Sequence, residues 1–404
     1  MLSTITTITN KTAIPGFRFL IRSFKRQQGG SIRRQYISTA FHSSRSVSTT
    51  TAATTTSSNS NNNPQNQKQQ EEDLQYAIQL VKKHDPAGYL PGLLMPTTKM
   101  KTSYFAIRSF WISTGLYKQS TAQVPINATP LEHLEWWQQV IDQELFGTPR
   151  TPSTTTVNDN TINNIIGHPT VRLLYQLIHP TNDNVMNTMD ADAVLAKQHF
   201  DDILQGRRND SDLKQYPTLK HLEQHALLSC GSLFQLVLES GGMTEHGAAK
   251  NPVAHQAAKL VGIGHGLANA LRTSIPIMST TGKLIIPEDL CIKHGVKSPR
   301  YLLSALGQGD TDAKKALALA VRDIATTAQQ HFNRARTLRD AILMEEHGEQ
   351  AAPVLLPALA SETFLNRLEK SGYDLTDRDL RNVGFWEHWH CALRMMWAYT
   401  QKMY

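Results

Sequence analysis

Two stretches of this 404-residue chain place polar residues at spacings that suit a ligand site. The first is FDDILQGRRND, Phe200 to Asp210. At helical spacing Asp202 and Gly206 lie one turn apart on one face, with Arg208 and Asp210 just beyond. Gly206 would leave a gap beside a carboxylate, an odd choice for a surface helix. Taken alone, a solvated helix face explains the same residues. The second stretch is NALRTSIPIMSTTGKLIIPEDL, Asn269 to Leu290. Asn269 and Arg272 read as the end of a helix at a cleft, followed by a loop that folds back to a Leu-Ile-Ile-Pro anchor. From Thr273 to Lys283 there is no Asp or Glu. The frame of such a site is present without the charges that would do its chemistry.

Three other constellations point away from chemistry. GIGHG, Gly262 to Gly266, lies inside a helical pattern with no strand before it, so it reads as close helix packing rather than a phosphate loop. EHWHC, Glu387 to Cys391, contains metal-ligand types, but His388 and His390 point to different sides of a helix. Cys230, Cys291 and Cys391 lie far apart and suit reduced thiols, not a metal site or a disulfide framework. No metal and no cofactor is expected.

The elements that would position these residues are helical almost throughout. EEDLQYAIQLVKKHDP carries acids in an expected first turn and Lys82, Lys83 and His84 in the last, in agreement with the helix dipole. KTSYFAIRSFWISTGLY and LEHLEWWQQVIDQELF each present a broad apolar face. Long helices are expected around ADAVLAKQHFDDILQGRRND, TLKHLEQHALLSCGSLFQLVLESGG and PVAHQAAKLVGIGHGLANALR, the second ending at its Gly pair, a good C-terminal signal. A further one is expected over ALALAVRDIATTAQQHFNRARTLRDAIL, and a last one in a C-terminal segment with Trp386, Trp389 and Trp397. Residues 148–169 read as a polar surface loop. KLIIP is the best strand-like run, and it is short. The pattern predicts an all-α fold, a single bundle of about ten helices over residues 71–404.

The N-terminal part differs in kind. Nine of the 41 Lys/Arg fall in residues 1–70, which hold no Asp or Glu, and the other 32 nearly balance the 34 acids. The basic balance therefore belongs to the leader, and no nucleic-acid partner is expected. FRFLIRSFKRQQGGSIRRQY interleaves Phe, Leu and Ile with Arg and Lys, the composition of a mitochondrial transit peptide, expected over 1–46. Residues 47–70 read as a low-complexity polar linker.

The two site stretches together resemble a known family. FDDILQGRRND followed by YPTLKHLEQHALLSCGSLFQLVLE is similar to the D-x-x-x-G-x-x-x-D and Y-x-T-x-x-x-L segment of squalene/phytoene synthases. AKLVGIGHGLANALR with GKLIIPEDLCIKHGV resembles their later helix, loop and Leu-Pro anchor, and YLPGLLMPTTKMKTSYFAIRSFW their first cleft helix. The resemblance covers about residues 75–345 and implies a helical bundle of the isoprenoid synthase type. Those enzymes join two prenyl diphosphates, using two acidic motifs that hold Mg²⁺. Here the first motif falls on Gly115, Leu116 and Gln119, and the second on Thr273 and Ile277. The resemblance thus implies a pseudoenzyme with no catalytic residues and a vestigial cleft, whose candidate ligand-binding residues are Asp202, Gly206, Tyr216, Asn269 and Arg272. Phe105, Leu116, Leu260 and Leu267 are expected to line it, and its polar residues to act through hydrogen bonds between helices.

The lost motifs, the leader and the Trp-rich C-terminus are most similar to the mitochondrial complex I assembly factor 6 family. That resemblance implies a matrix-side protein, peripheral to the inner membrane, whose partners are complex I subunits or assembly intermediates. Two rivals stand beside it. One is an isoprenoid synthase with displaced metal ligands, for which Asp201, Asp202 and Asp210 are the available acids. The other is a prenyl-lipid or quinone-binding protein.

Overall fold

A computed structural model describes residues 64–116, 129–147, 167–179, 195–245, 248–345, 348–381 and 385–401. The expected leader at 1–46, Gln119 and most of the loop at 148–169 lie outside these residues.

Helix α1 (Pro64–His84) starts seven residues ahead of the expected boundary at Glu71. Gln67, Lys68 and Gln69 near its start are exposed and good helix formers, and Gln69 donates to Asp73 one turn on. The acids therefore sit in mid-helix and not in the first turn. Asp73 is buried and paired with Arg172, the Arg172 Nε reaching Asp73 Oδ2 at 2.8 Å, so it ties helices together and does not serve the dipole. Asp85 caps α2 (Pro86–Leu93) by accepting from the Gly88 N–H at 3.0 Å. Thr97 caps α3 (Thr98–Ser113). A reciprocal Thr129/Glu132 capping box opens α4 (Pro130–Gln139), which widens into a π-helical segment, Val140–Leu145. Then follow α5 (Pro169–Ile178) and α6 (Lys197–Asp212).

Helix α7 (Leu219–Ala226), a π-helical segment (Leu227–Gly231) and α8 (Ser232–Ser240) run on without a break and end at the expected glycine pair, Gly241 and Gly242. Strands β1 (Thr244–Glu245) and β2 (Ala248–Ala249) form a short antiparallel hairpin. Helix α9 (Pro252–Thr281) is the longest described. After it come α10 (Glu288–His294), α11 (Pro299–Gln308), α12 (Thr311–Thr337), α13 (Arg339–Met344), α14 (Gly348–Leu355), α15 (Pro357–Lys370), α16 (Arg378–Arg381) and α17 (Phe385–Thr400). The described part is all-α apart from the hairpin. Its helices outnumber the ten or so expected because prolines and glycines divide several long apolar patterns.

Helix α9 is the centre of the packing, with α12, α15 and the α7–α8 rod around it, while α3 packs on α1, α5 and α8. The GIGHG stretch does the packing expected of it. A Cβ on Gly262 would lie 2.4 Å from the Gly231 Cα, and one on Gly266 would lie 2.5 Å from the Ala226 Cβ. At Gly262 and Gly231 the two helices meet where neither carries a side chain, and at Gly266 the missing Cβ makes room for the Ala226 methyl.

The expectation that α9 stops near Arg272 is not met. The helix continues through Pro276 to Thr281 and ends at Gly282, whose φ of 72° is left-handed. Pro276 cannot donate to the Arg272 carbonyl, yet hydroxyls reinforce the turns on either side. Ser274 donates to the Ala270 carbonyl at 2.7 Å, and Thr281 to the Ile277 carbonyl at 2.8 Å. The anchor beyond is as expected in place but not in form. Leu284 and Ile286 are buried, in irregular backbone and not in a strand.

Candidate functional site

The two stretches singled out by sequence come from α6 with its following loop and from α9 with its following loop, and the loops clamp each other. Lys283 Nζ donates to the carbonyls of Asp210 and Ser211, at 2.9 and 3.0 Å, so a cation closes the C-terminus of α6. Gln215 Nε2 donates to the Ile286 carbonyl at 2.8 Å, and the Glu288 N–H donates to the Tyr216 carbonyl at 2.8 Å.

Each candidate residue has a definite environment. Asp202 is half-buried and accepts from Ser232 Oγ at 3.2 Å, across from α6 to α8, with His199 Nδ1 at 3.8 Å. Gly206 does not leave a gap beside a carboxylate: its missing Cβ would meet Leu228 at 3.4 Å, and its carbonyl pairs with His225 Nδ1 at 3.1 Å. Tyr216 is buried and donates to Asp210 Oδ1 at 2.8 Å. Burial, with the Asp210 charge beside it, pushes its phenol well above the usual range. Asn269 and Arg272 bond to one another within α9, so their contact is not the bridge between helices that was expected. Among the described residues no hydrogen bond or ion pair joins Asp202, Tyr216 and Arg272 to each other.

The first motif position has a different neighbour. The Arg207 guanidinium stands over the Trp111 ring at 5.2 Å and donates to the Trp111 carbonyl at 3.3 Å. It lies against Gly115, where a Cβ would be 3.3 Å from it. Neither Arg207 nor Arg272 has a carboxylate within ion-pair distance among the described residues. The acids a displaced metal site would use are engaged elsewhere. Asp201 holds Lys197 and Gln138, and Asp210 holds Tyr216. No group of three or more His, Cys, Asp or Glu suited to a metal occurs among the described residues.

The space between α3 and α9 contains residues that the sequence did not single out. Asp85 and Arg108 form an ion pair, and both side chains are almost wholly buried. Burial alone would raise the Asp85 carboxyl, but the Arg108 guanidinium and the Gly88 N–H hold it below the usual carboxylate range. Tyr104 donates to the Gly88 carbonyl at 2.8 Å and lies under the guanidinium, 5.0 Å from ring centre to Cζ. Phe234 faces Arg108 at 5.7 Å and meets the His265 ring edge-on, also at 5.7 Å. His265 Nδ1 pairs with Ser361 Oγ at 2.7 Å. Burial, reinforced by Arg108, pushes the imidazole down to about 3, so it stays neutral. Of the expected cleft lining, Phe105 and Leu267 are buried in the core, and Leu116 and Leu260 are partly buried against it. One sequence signal for this centre existed: Arg108 is the one charge in the apolar run SYFAIRSFW.

This is an all-α bundle of the isoprenoid synthase type. A crystal structure of a dehydrosqualene synthase in complex with ligand superposes with a TM-score of 0.58 and 18% identity, covering 83% of this chain and 99% of that one. Squalene synthase HpnC from Alicyclobacillus acidocaldarius does so with a TM-score of 0.51 and 14% identity, covering 76% and 96%. The chain belongs to the squalene/phytoene synthase family, whose sequence model matches residues 81–387. Its relatives include NADH dehydrogenase (ubiquinone) complex I, assembly factor 6 of Bos taurus, 25% identical over 301 residues, which are 74% of this chain and 75% of the relative. The Homo sapiens protein of the same name is 25% identical over 300 residues, with the same shares covered.

Proposed function

We propose that this chain is a non-catalytic member of the family that acts in the assembly of mitochondrial respiratory complex I, on the matrix side of the inner membrane. The observation that carries the reading is at the motif positions. Gly115 and Leu116 follow the end of α3, with the Arg207 guanidinium against Gly115, and Thr273 and Ile277 lie on an α9 that runs on intact. Without carboxylates there, nothing gathers the Mg²⁺ that would offset a diphosphate. The likeness to proteins named for complex I assembly supports the role and the compartment. No described helix is long and apolar enough to cross a membrane, which is consistent with peripheral contact. Residues 1–46 serve as the transit peptide in this reading, and Asp202, Gly206, Tyr216, Asn269 and Arg272 form the remnant of the cleft.

The test has two arms. Purified chain supplied with farnesyl diphosphate and Mg²⁺ should release no diphosphate, and cells lacking the chain should lose assembled complex I. Turnover that Asp202→Asn abolishes would overturn the non-catalytic reading. Normal complex I in the null cells would overturn the assembly role.

A further inference from the structure

Most of α17 lies beyond the residues matched to the family, and it creates a feature of its own. Together with α12 and α15 it encloses a surface pocket of about 280 Å³, lined by Gln329, Arg336, Glu362, Asn366, Arg394 and Trp397 among others. Glu362 is 2% exposed at its floor, and two guanidiniums share it: Arg336 on Oε1, and Arg394 on Oε2 at 3.1 Å. Two cations on one buried carboxylate leave one positive charge in excess. Each guanidinium has five N–H donors, more than Glu362 can accept. Beside the pocket, Leu393 and Trp397 lie one turn apart on α17, 50% and 60% exposed.

We propose that this pocket is a docking site for a partner polypeptide, which inserts an Asp or Glu side chain between Arg336 and Arg394 and lays apolar neighbours on Leu393 and Trp397. Charge complementarity selects a carboxylate, and the pocket volume suits one side chain flanked by its own backbone. A membrane surface fits less well. Helices that lie on bilayers carry Lys and Arg along the polar face, whereas Arg394 is the one Lys or Arg in α17 and it is bound to Glu362. A Trp with an apolar neighbour and an arginine is also the composition that dominates protein interfaces.

The inference rests on the reading that this chain works by binding other polypeptides. Its test measures the contact itself, so it can fail while the complex I role stands. A photo-crosslinking residue is placed at Leu393 of the full chain in cells, with the same residue at the exposed Ile292 on α10 as control. The expected result is a polypeptide adduct whose crosslinked segment has an Asp or Glu within one helical turn. Its yield should drop about tenfold or more with Arg394→Gln, the size expected for losing a charge-assisted hydrogen bond. Trp397→Ser, at an exposed position, should reduce it comparably and guards against a folding defect in the first variant. Lipid adducts, adducts no greater than the control, segments without a carboxylate, or yields indifferent to both variants would each overturn the proposal.

Discussion

The Arg207 guanidinium lies 3.3 Å from the point that a Cβ on Gly115 would occupy. A carboxylate restored at this position would therefore meet an arginine before it met a metal. Gly115→Asp is predicted to pair with Arg207, which has no carboxylate partner of its own among the described residues. Thermal melting of the variant with and without millimolar MgCl₂ checks this: no Mg²⁺-dependent rise in Tm is expected. A clear rise would show that the arginine does not block the site.

The Asp85–Arg108 pair predicts an asymmetry between single and double substitutions. Arg108→Met leaves a buried carboxylate unpaired and should cost about 3–5 kcal/mol, whereas neutralising both partners should cost much less. Asp85→Asn keeps an oxygen for the Gly88 N–H, so the cap survives in the double variant. Urea unfolding of both singles and the double gives the coupling energy. Additive losses would contradict the buried pairing.

Acid sensitivity should trace in part to His265. Its folded value, about 3, lies below the unfolded value of about 6.5. Its contribution is therefore complete above pH 6.5 and is lost as pH falls toward 3, because only the unfolded chain takes up the proton. The Asp85 carboxyl, held low, loses stability in the same direction at lower pH. The groups facing the ring are Arg108, Asp85, Arg272 and Ser361. His265→Asn should shrink the drop in Tm between pH 7 and 5. An unchanged drop would assign the effect to the other buried histidines, such as His168, which burial pushes down to about 4.

Tyr216 and Arg272 should behave differently, although both were expected to bridge helices. Tyr216→Phe removes a bond at a buried phenol and should cost about 1 kcal/mol. Arg272→Ala removes an exposed side chain bonded within its own helix and should change stability by about 0.5 kcal/mol or less. Equal losses in chemical denaturation would mean that Arg272 holds another helix after all.

At Gly262, alanine would improve helix propensity by about 1 kcal/mol and still destabilise. The added methyl would sit 2.4 Å from backbone at Gly231, which cannot rotate away. A Tm for Gly262→Ala at or above that of the parent would refute the contact.

What the sequence made legible follows from what its signals encode. Periodicity located the helices, and the Gly241–Gly242 stop and the packing role of Gly262 followed from local chemistry. The start at Pro64 was missed because a polar stretch without apolar period resembles a linker until its helix-forming Gln and Lys are weighed. The passage of α9 through Pro276 was missed because proline is read as a stop, while hydroxyls at Ser274 and Thr281 do not register in an apolar pattern. The resemblance assigned positions to the two motifs but said nothing of their neighbours. Which side chain faces Gly115, and which charges meet between α3 and α9, depends on contacts between distant segments. Trp389 is half-buried, whereas Trp397 is exposed.

The buried centre has an order of assembly written into its chain separations. Asp85 finds Arg108 only 23 residues away and Tyr104 finds Gly88 across 16, whereas His265 must wait for Ser361, 96 residues on. Closing a short loop sacrifices less chain freedom than closing a long one, so the charge pair can form within the first helical hairpin, while solvent still surrounds it. Water then has to leave when α15 arrives and seals the far side. By chain separation alone, the Asp85–Arg108 pair is favoured to neutralise itself before α15 encloses it.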